Sequence, residues 1–124
     1  MAGVMIVDDE PTIQQLMAII LEDMGLEIVG QPLNGEVALR SYRSMEEKPD
    51  LVIIDHRMPI MSGIDLASSI LETNKDQRIL FLTADESIKD RVREMGIEDL
   101  LEKPADIGAI KDAVEKALGP TTSF

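Results

Sequence analysis

Cysteine is absent from this chain, tryptophan is absent too, and aromatic residues make up only 2% of it. Without cysteine there is no disulfide, no thiolate metal ligand and no cysteine nucleophile. Any metal must be held through oxygen atoms or the lone His56. So few aromatic rings leave little to stack on an isoalloxazine system, which disfavours a flavin carrier. No apolar run approaches the length of a membrane span, and Met1 to Val7 lacks the charged start and cleavage pattern of a secretory signal. A cytoplasmic protein with no membrane partner is expected. A Gly-rich phosphate-binding loop of the Lys-Ser/Thr type is also missing, which disfavours nucleotide hydrolysis. Basic residues are scarce: 12 Lys and Arg stand against 24 Asp and Glu, a formal net charge of -12. That balance repels nucleic acid and anionic surfaces, so direct nucleic-acid binding is not expected and proteins or cations are the better partners.

What is present fits one packed domain. A chain of 124 residues, 44% hydrophobic and 29% charged, is long enough for a hydrophobic core and too short for two ordinary domains. Val4 to Val7, Leu51 to Ile54 and Ile79 to Leu82 are short continuous apolar runs, as expected of parallel strands buried on both faces. Leu26 to Val29 and Asp99 to Leu101 complete a set of five. Between them the apolar period changes to that of helices. Ile13, Leu16, Met17, Ile20 and Met24 mark a first helix, opened by Pro11 and ended by Gly25. Val37, Ala38, Ser41, Tyr42 and Met45 mark a second; Ile64, Ala67, Ile70 and Leu71 a third. Ile88, Val92 and Met95 mark a fourth, and Ile107, Ile110, Val114 and Leu118 a fifth. Met17, Met24, Met45 and Met95 fall on these apolar faces as core filler. Strand and helix alternate five times, which predicts an α/β fold: a flavodoxin-like, doubly wound, five-stranded parallel sheet in the order 2-1-3-4-5 with five helices. The domain is expected to occupy residues 1–119, with 120–124 a short tail or the start of a linker.

Ligands of open parallel sheets bind outside the carboxyl ends of the strands. Here those ends carry Asp8-Asp9, Asp55, Thr83 and the run Glu102-Lys103-Pro104. Carboxylates brought together repel one another unless a cation sits among them. Magnesium, an oxygen-seeking ion commonly held by one or two carboxylates and a phosphate oxygen, suits that set, with manganese able to replace it. Lys103 would neutralise a phosphoryl oxygen and Thr83 would donate to another. One carboxylate can then act as nucleophile, because phosphoryl transfer asks chiefly for positioning and charge neutralisation.

The chain resembles the receiver domain of two-component response regulators from Val4 to Leu118. The resemblance rests on Met5-Ile6-Val7-Asp8-Asp9-Glu10, on Asp50 to Pro59 around Asp55, on Met61-Ser62-Gly63, on Leu82-Thr83-Ala84 and on Glu102-Lys103-Pro104. It implies that Asp55 is the phosphoacceptor, served by a sensor histidine kinase or a histidine phosphotransfer protein, and that the domain autodephosphorylates. It implies magnesium ligands at Asp8, Asp9, Asp55 and the backbone carbonyl of Arg57, with Asp9 the more direct of the acid pair. Thr83 and Lys103 would meet the phosphoryl group, Lys103 across a cis bond to Pro104, and the backbone N–H groups of Met58 and Ala84 would donate to it. Downstream, the resemblance implies a target protein or a following effector domain, and a partner or homodimer surface on the fourth helix, fifth strand and fifth helix.

Several positions depart from the family's habit. Leu100 stands where a Tyr or Phe switch residue is frequent, and Ala105 where a Phe is common. Arg57 and Asp85, each two residues past a site residue, carry opposite charges that could meet over the site and tune phosphoryl lifetime; a solvated pair of little consequence is the alternative. His56 reads as a partly exposed loop residue, and Glu86, Lys89, Asp90, Arg91 and Arg93 as a solvated face. A metal-dependent phosphatase would want a second acid where Arg57 stands. A degenerate receiver would lack part of the Asp8, Asp9, Asp55, Thr83 and Lys103 set.

Overall fold

The computed structural model describes residues 1–119; the expected tail, 120–124, lies outside the described residues. The elements run β1 (Gly3–Val7), α1 (Pro11–Asp23), β2 (Glu27–Gly30), α2 (Gly35–Ser44), β3 (Leu51–Asp55), α3 (Gly63–Thr73), β4 (Ile79–Thr83), α4 (Lys89–Glu94), β5 (Asp99–Glu102) and α5 (Ile107–Leu118). The five strands are all parallel and lie in the order β2-β1-β3-β4-β5, as the alternation predicts.

The continuous apolar runs have a direct cause: alternate residues of each central strand enter two different cores. Met5, Val7, Val52, Ile54, Ile79 and Phe81 pack with Ala38, Tyr42, Ala67 and Ile70 of α2 and α3. Val4, Ile6, Leu51, Ile53, Leu80 and Leu82 pack on the other side with Met17, Leu21, Val114 and Ala117 of α1 and α5. At roughly 1.5–3 kcal/mol for each large apolar side chain buried, the two layers supply the main drive to fold.

Local chemistry sets the helix boundaries. Pro11 occupies the first position of α1. The side chains of Asn34, Ser62 and Asp106 accept the backbone N–H of Val37, Asp65 and Ala109, capping α2, α3 and α5. Gly25 and Gly96, at φ +82° and +89°, end α1 and α4 in the left-handed region.

Three expectations need correction. Strand β2 begins at Glu27 rather than Leu26 and is half-exposed, because it is the sheet edge and pairs on one side only. The fourth helix opens as a 3-10 turn over Glu86–Ile88, with the Asp85 side chain accepting the Ser87 N–H, before α4 begins at Lys89. Leu16, Val37 and Ile107, counted on apolar faces, are exposed at the stripe margins. In their place the chain buries Gln14, Leu21, Leu39 and Leu66. No described helix is long and apolar enough to cross a membrane.

Candidate functional site

In a 2-1-3-4-5 sheet the winding direction reverses between β1 and β3, and that pair opens the crevice. Asp8 follows β1 directly and Asp55 ends β3, so both acids are delivered to its floor. Both are buried, at 2% and 4% exposure. Thr83 ends β4, equally buried, and Lys103 follows β5.

The side chains meet. Lys103 Nζ lies 2.9 Å from Asp55 Oδ1. Carboxylate oxygens of Asp8, Asp9 and Glu10 lie within 4.8 Å of one another. Asp8 Oδ1 accepts the Glu10 amide at 2.9 Å, which aims that carboxylate. A cleft of about 310 Å³ is lined by Asp9, Glu10, Asp55, His56, Arg57, Thr83, Ala84 and Lys103. Burial holds the Asp8 carboxyl above its ordinary value, and the Asp55 and Asp9 charges add to the rise; the Glu10 N–H and Lys103 oppose it. The donor set is all oxygen and its charges repel, a combination that fits a hard divalent cation.

Thr83 is held at two places. Its hydroxyl accepts the Asp85 N–H at 2.9 Å, while its carbonyl accepts the Lys103 N–H at 3.0 Å. Lys103-Pro104 is cis, as expected. Asp85 turns its carboxylate to Ser87, accepting the backbone N–H and the hydroxyl. Those two bonds hold the Asp85 carboxyl below the usual range, with smaller help from His56 and Arg57. Among the described residues Arg57 and Asp85 form no ion pair within 4.0 Å.

The remaining predicted positions surround this centre. Met58 and Leu100 are half-buried against the core beneath α2 and α3, and Leu100 pairs in register with Phe81. Ala84 is exposed at the cleft mouth. Ala105 lines an apolar groove of about 440 Å³ with Ile13, Leu16 and Ile110. Past Met58, Ile60 takes φ +73° while Met61 N donates to Pro59 O, a strained γ-turn that lifts Ile60 into solvent.

Three features were not legible from residue type. His56 is only half-buried, as a loop residue should be, yet its ring packs 5.8 Å from that of Phe81 and its Nδ1 is buried without a hydrogen-bond partner among the described residues. Lys89, expected on a solvated face, bonds Glu102 and Glu86, which links the start of α4 to the end of β5. Gly63 is dictated by contact: a Cβ there would lie 2.7 Å from both Asp55 O and His56 Cα. The Met61-Ser62-Gly63 run was the available signal for that approach.

A doubly wound sheet whose carboxyl edge gathers buried acids, a hydroxyl and a lysine is the architecture of two-component signalling domains. The sequence model of one such family, the response regulator receiver domain, matches residues 4–115, and the chain belongs to that family. It is similar to transcriptional regulatory protein PdtaR of Mycobacterium tuberculosis, 37% identical over 117 residues, covering 93% of this chain and 56% of that protein. It is also similar to chemotaxis protein CheY of Bacillus subtilis, 31% identical and covering 93% of this chain and 96% of that protein. The chain thus spans just over half the length of the first relative and nearly all of the second. Among solved structures, response regulator TrrA of Thermotoga maritima in complex with Mg2+-BeF aligns with a TM-score of 0.83 at 33% identity, covering 94% of this chain and 99% of that one.

Proposed function

We propose that Asp55 accepts a phosphoryl group from the phosphohistidine of a sensor histidine kinase or histidine phosphotransfer protein, in a magnesium-dependent reaction that the domain later reverses by autodephosphorylation. The observation that carries this reading is the Lys103–Asp55 contact at 2.9 Å beside the acid cluster. An Asp55 carboxylate oxygen attacks phosphorus, and the P–N bond breaks with its electron pair returning to the donor imidazole. Lys103 moves from the carboxylate to a phosphoryl oxygen, and the Thr83 hydroxyl and the N–H groups of Met58 and Ala84 donate to the others. Asp8, Asp9, Asp55 and the Arg57 carbonyl would hold Mg2+, or Mn2+ in its place, and the ion would neutralise charge that the acids cannot. Hydrolysis returns the Asp55 carboxylate and releases inorganic phosphate. Arg57, which lines the cleft, and Asp85, two residues past Thr83, tune its rate.

The signal leaves through Thr83 and the segment that follows it. With Leu100 in place of an aromatic ring, little side-chain rotation is available on β5, and the Thr83 loop carries the change. The face of α4, β5 and α5 then meets a downstream target, a following effector domain or a second copy. The domain occupies residues 1–119 and acts in the cytoplasm.

The test is incubation with Mg2+ and acetyl phosphate, followed by intact mass measurement. One phosphoryl adduct is expected on the wild-type chain and none on Asp55→Asn. No adduct at any Mg2+ concentration, or an undiminished adduct on the variant, overturns the proposal.

A further inference from the structure

Gln14 is a polar residue in the buried stripe of α1, 4% exposed among Met17, Ile20 and Leu21. A buried amide without partners is costly. Here every part of it is used. Its Nε2 donates to the carbonyls of Ile6 at 2.9 Å, Pro32 at 3.0 Å and Asp8 at 3.2 Å, so two protons serve three acceptors. Its Oε1 accepts Gln31 Nε2 at 3.0 Å, and the same Gln31 nitrogen reaches the Gln14 carbonyl at 2.9 Å. Gln31 therefore fixes which end of the amide faces the three carbonyls. The Pro32 carbonyl is shared, since it also accepts the Asp8 N–H at 3.4 Å.

These bonds gather three backbone segments around one side-chain amide. β1, the acid turn after it and the loop between β2 and α2 are all tied to α1 through the Gln14 amide, and Asp8 is held on both sides, its carbonyl by Gln14 and its N–H by Pro32. The carboxylates carried by that turn repel one another, and repulsion favours opening it. We propose that Gln14 is a positioning residue for the cation site: it clamps the Asp8 main chain so that the Asp8 and Asp9 carboxylates stay gathered before a divalent ion arrives. The inference rests on the magnesium reading above. Preorganisation of this kind reduces what binding must spend on ordering, and loss of an outer-shell partner typically weakens metal affinity about 10- to 100-fold.

The experiment uses the full chain, with Gln14→Met, which keeps length and removes both donor and acceptor, and Gln31→Leu at the exposed partner. Mg2+ affinity is measured by calorimetry, and the Mg2+ midpoint of acetyl phosphate uptake by intact mass. Gln14→Met is expected to weaken Mg2+ binding about tenfold and to move the midpoint by the same factor. Gln31→Leu, which frees the amide to turn, gives a smaller loss of the same sign and decides the question if Gln14→Met does not fold. Affinity within twofold of wild type in the folded variants overturns the inference. So does uptake that falls at every Mg2+ concentration with an unmoved midpoint, the mark of a merely structural role. A wild-type chain that binds no Mg2+ overturns the magnesium reading and this inference with it, whereas binding in the wild type and undiminished binding in the variants overturns the inference alone.

Discussion

Gly63→Ala places one methyl group where the start of α3 crosses the end of β3. The added Cβ would lie 2.7 Å from Asp55 O, 2.7 Å from His56 Cα and 3.1 Å from Ile54 Cγ2. Comfortable carbon contacts fall near 3.5–4.0 Å, so the intrusion approaches roughly one ångström on two backbone atoms that no rotamer change can move. α3 must then back away, and its first amide loses the bond from Gly63 N to His56 O, now 3.0 Å. Overpacking costs about 1–3 kcal/mol and the lost hydrogen bond about 1 kcal/mol. Alanine's advantage over glycine within a helix offsets at most about 1 kcal/mol. A net loss of about 2 kcal/mol is expected, which for a domain of this size lowers Tm on the order of 6–10 °C. Urea unfolding followed by far-UV circular dichroism gives the free energy directly. A variant as stable as wild type would refute the reasoning, because it would mean that the helix start and the acceptor strand are not in van der Waals contact.

Tyr42→Phe removes a buried hydroxyl that donates to Gln77 Oε1 at 2.6 Å and leaves that oxygen unpaired. A loss of about 1–2 kcal/mol in chemical denaturation is expected, and an unchanged midpoint counts against it. Asp8 binds its proton more tightly in the folded chain than its ordinary value of 3.8 allows. Stability from this group therefore falls as pH rises from that value through the raised one, and stays low above it. In chelator at neutral pH, Asp8→Asn should consequently unfold at higher denaturant than wild type, and added Mg2+ should raise the wild-type midpoint with little effect on the variant. A less stable Asp8→Asn under those conditions would show that the buried charge is not a burden.

The strand ends were legible because parallel strands buried on both faces must be continuously apolar, so the first polar residue after each run falls at the crevice. That logic places Asp8, Asp55 and Thr83 without any knowledge of side-chain contacts. It does not resolve helix stripe margins: Leu16 repeats with the core period, yet lies 43% exposed in a groove that it lines together with Ala105. Nor does it reach contacts made between distant segments. Gln14 looks like a solvent residue until the carbonyls of Ile6, Asp8 and Pro32 are brought around it. Lys89 looks like one of several surface charges until β5 delivers Glu102 to it. Residue type predicts which groups want burial; only topology decides which polar groups obtain partners there.

The two bonds at Thr83 have a mechanical consequence. Its carbonyl is tied sideways to the Lys103 amide, inside the sheet, whereas its hydroxyl is tied forward to the Asp85 amide, outside it. On the proposed reading, a Thr83 side chain that rotated toward a phosphoryl group on Asp55 would let go of the forward tie and keep the sideways one. Motion would thereby be confined to one side of a single residue: the strand would stay anchored like a doorframe, and the segment from Ala84 to the Lys89–Glu102 tie would be the part to swing.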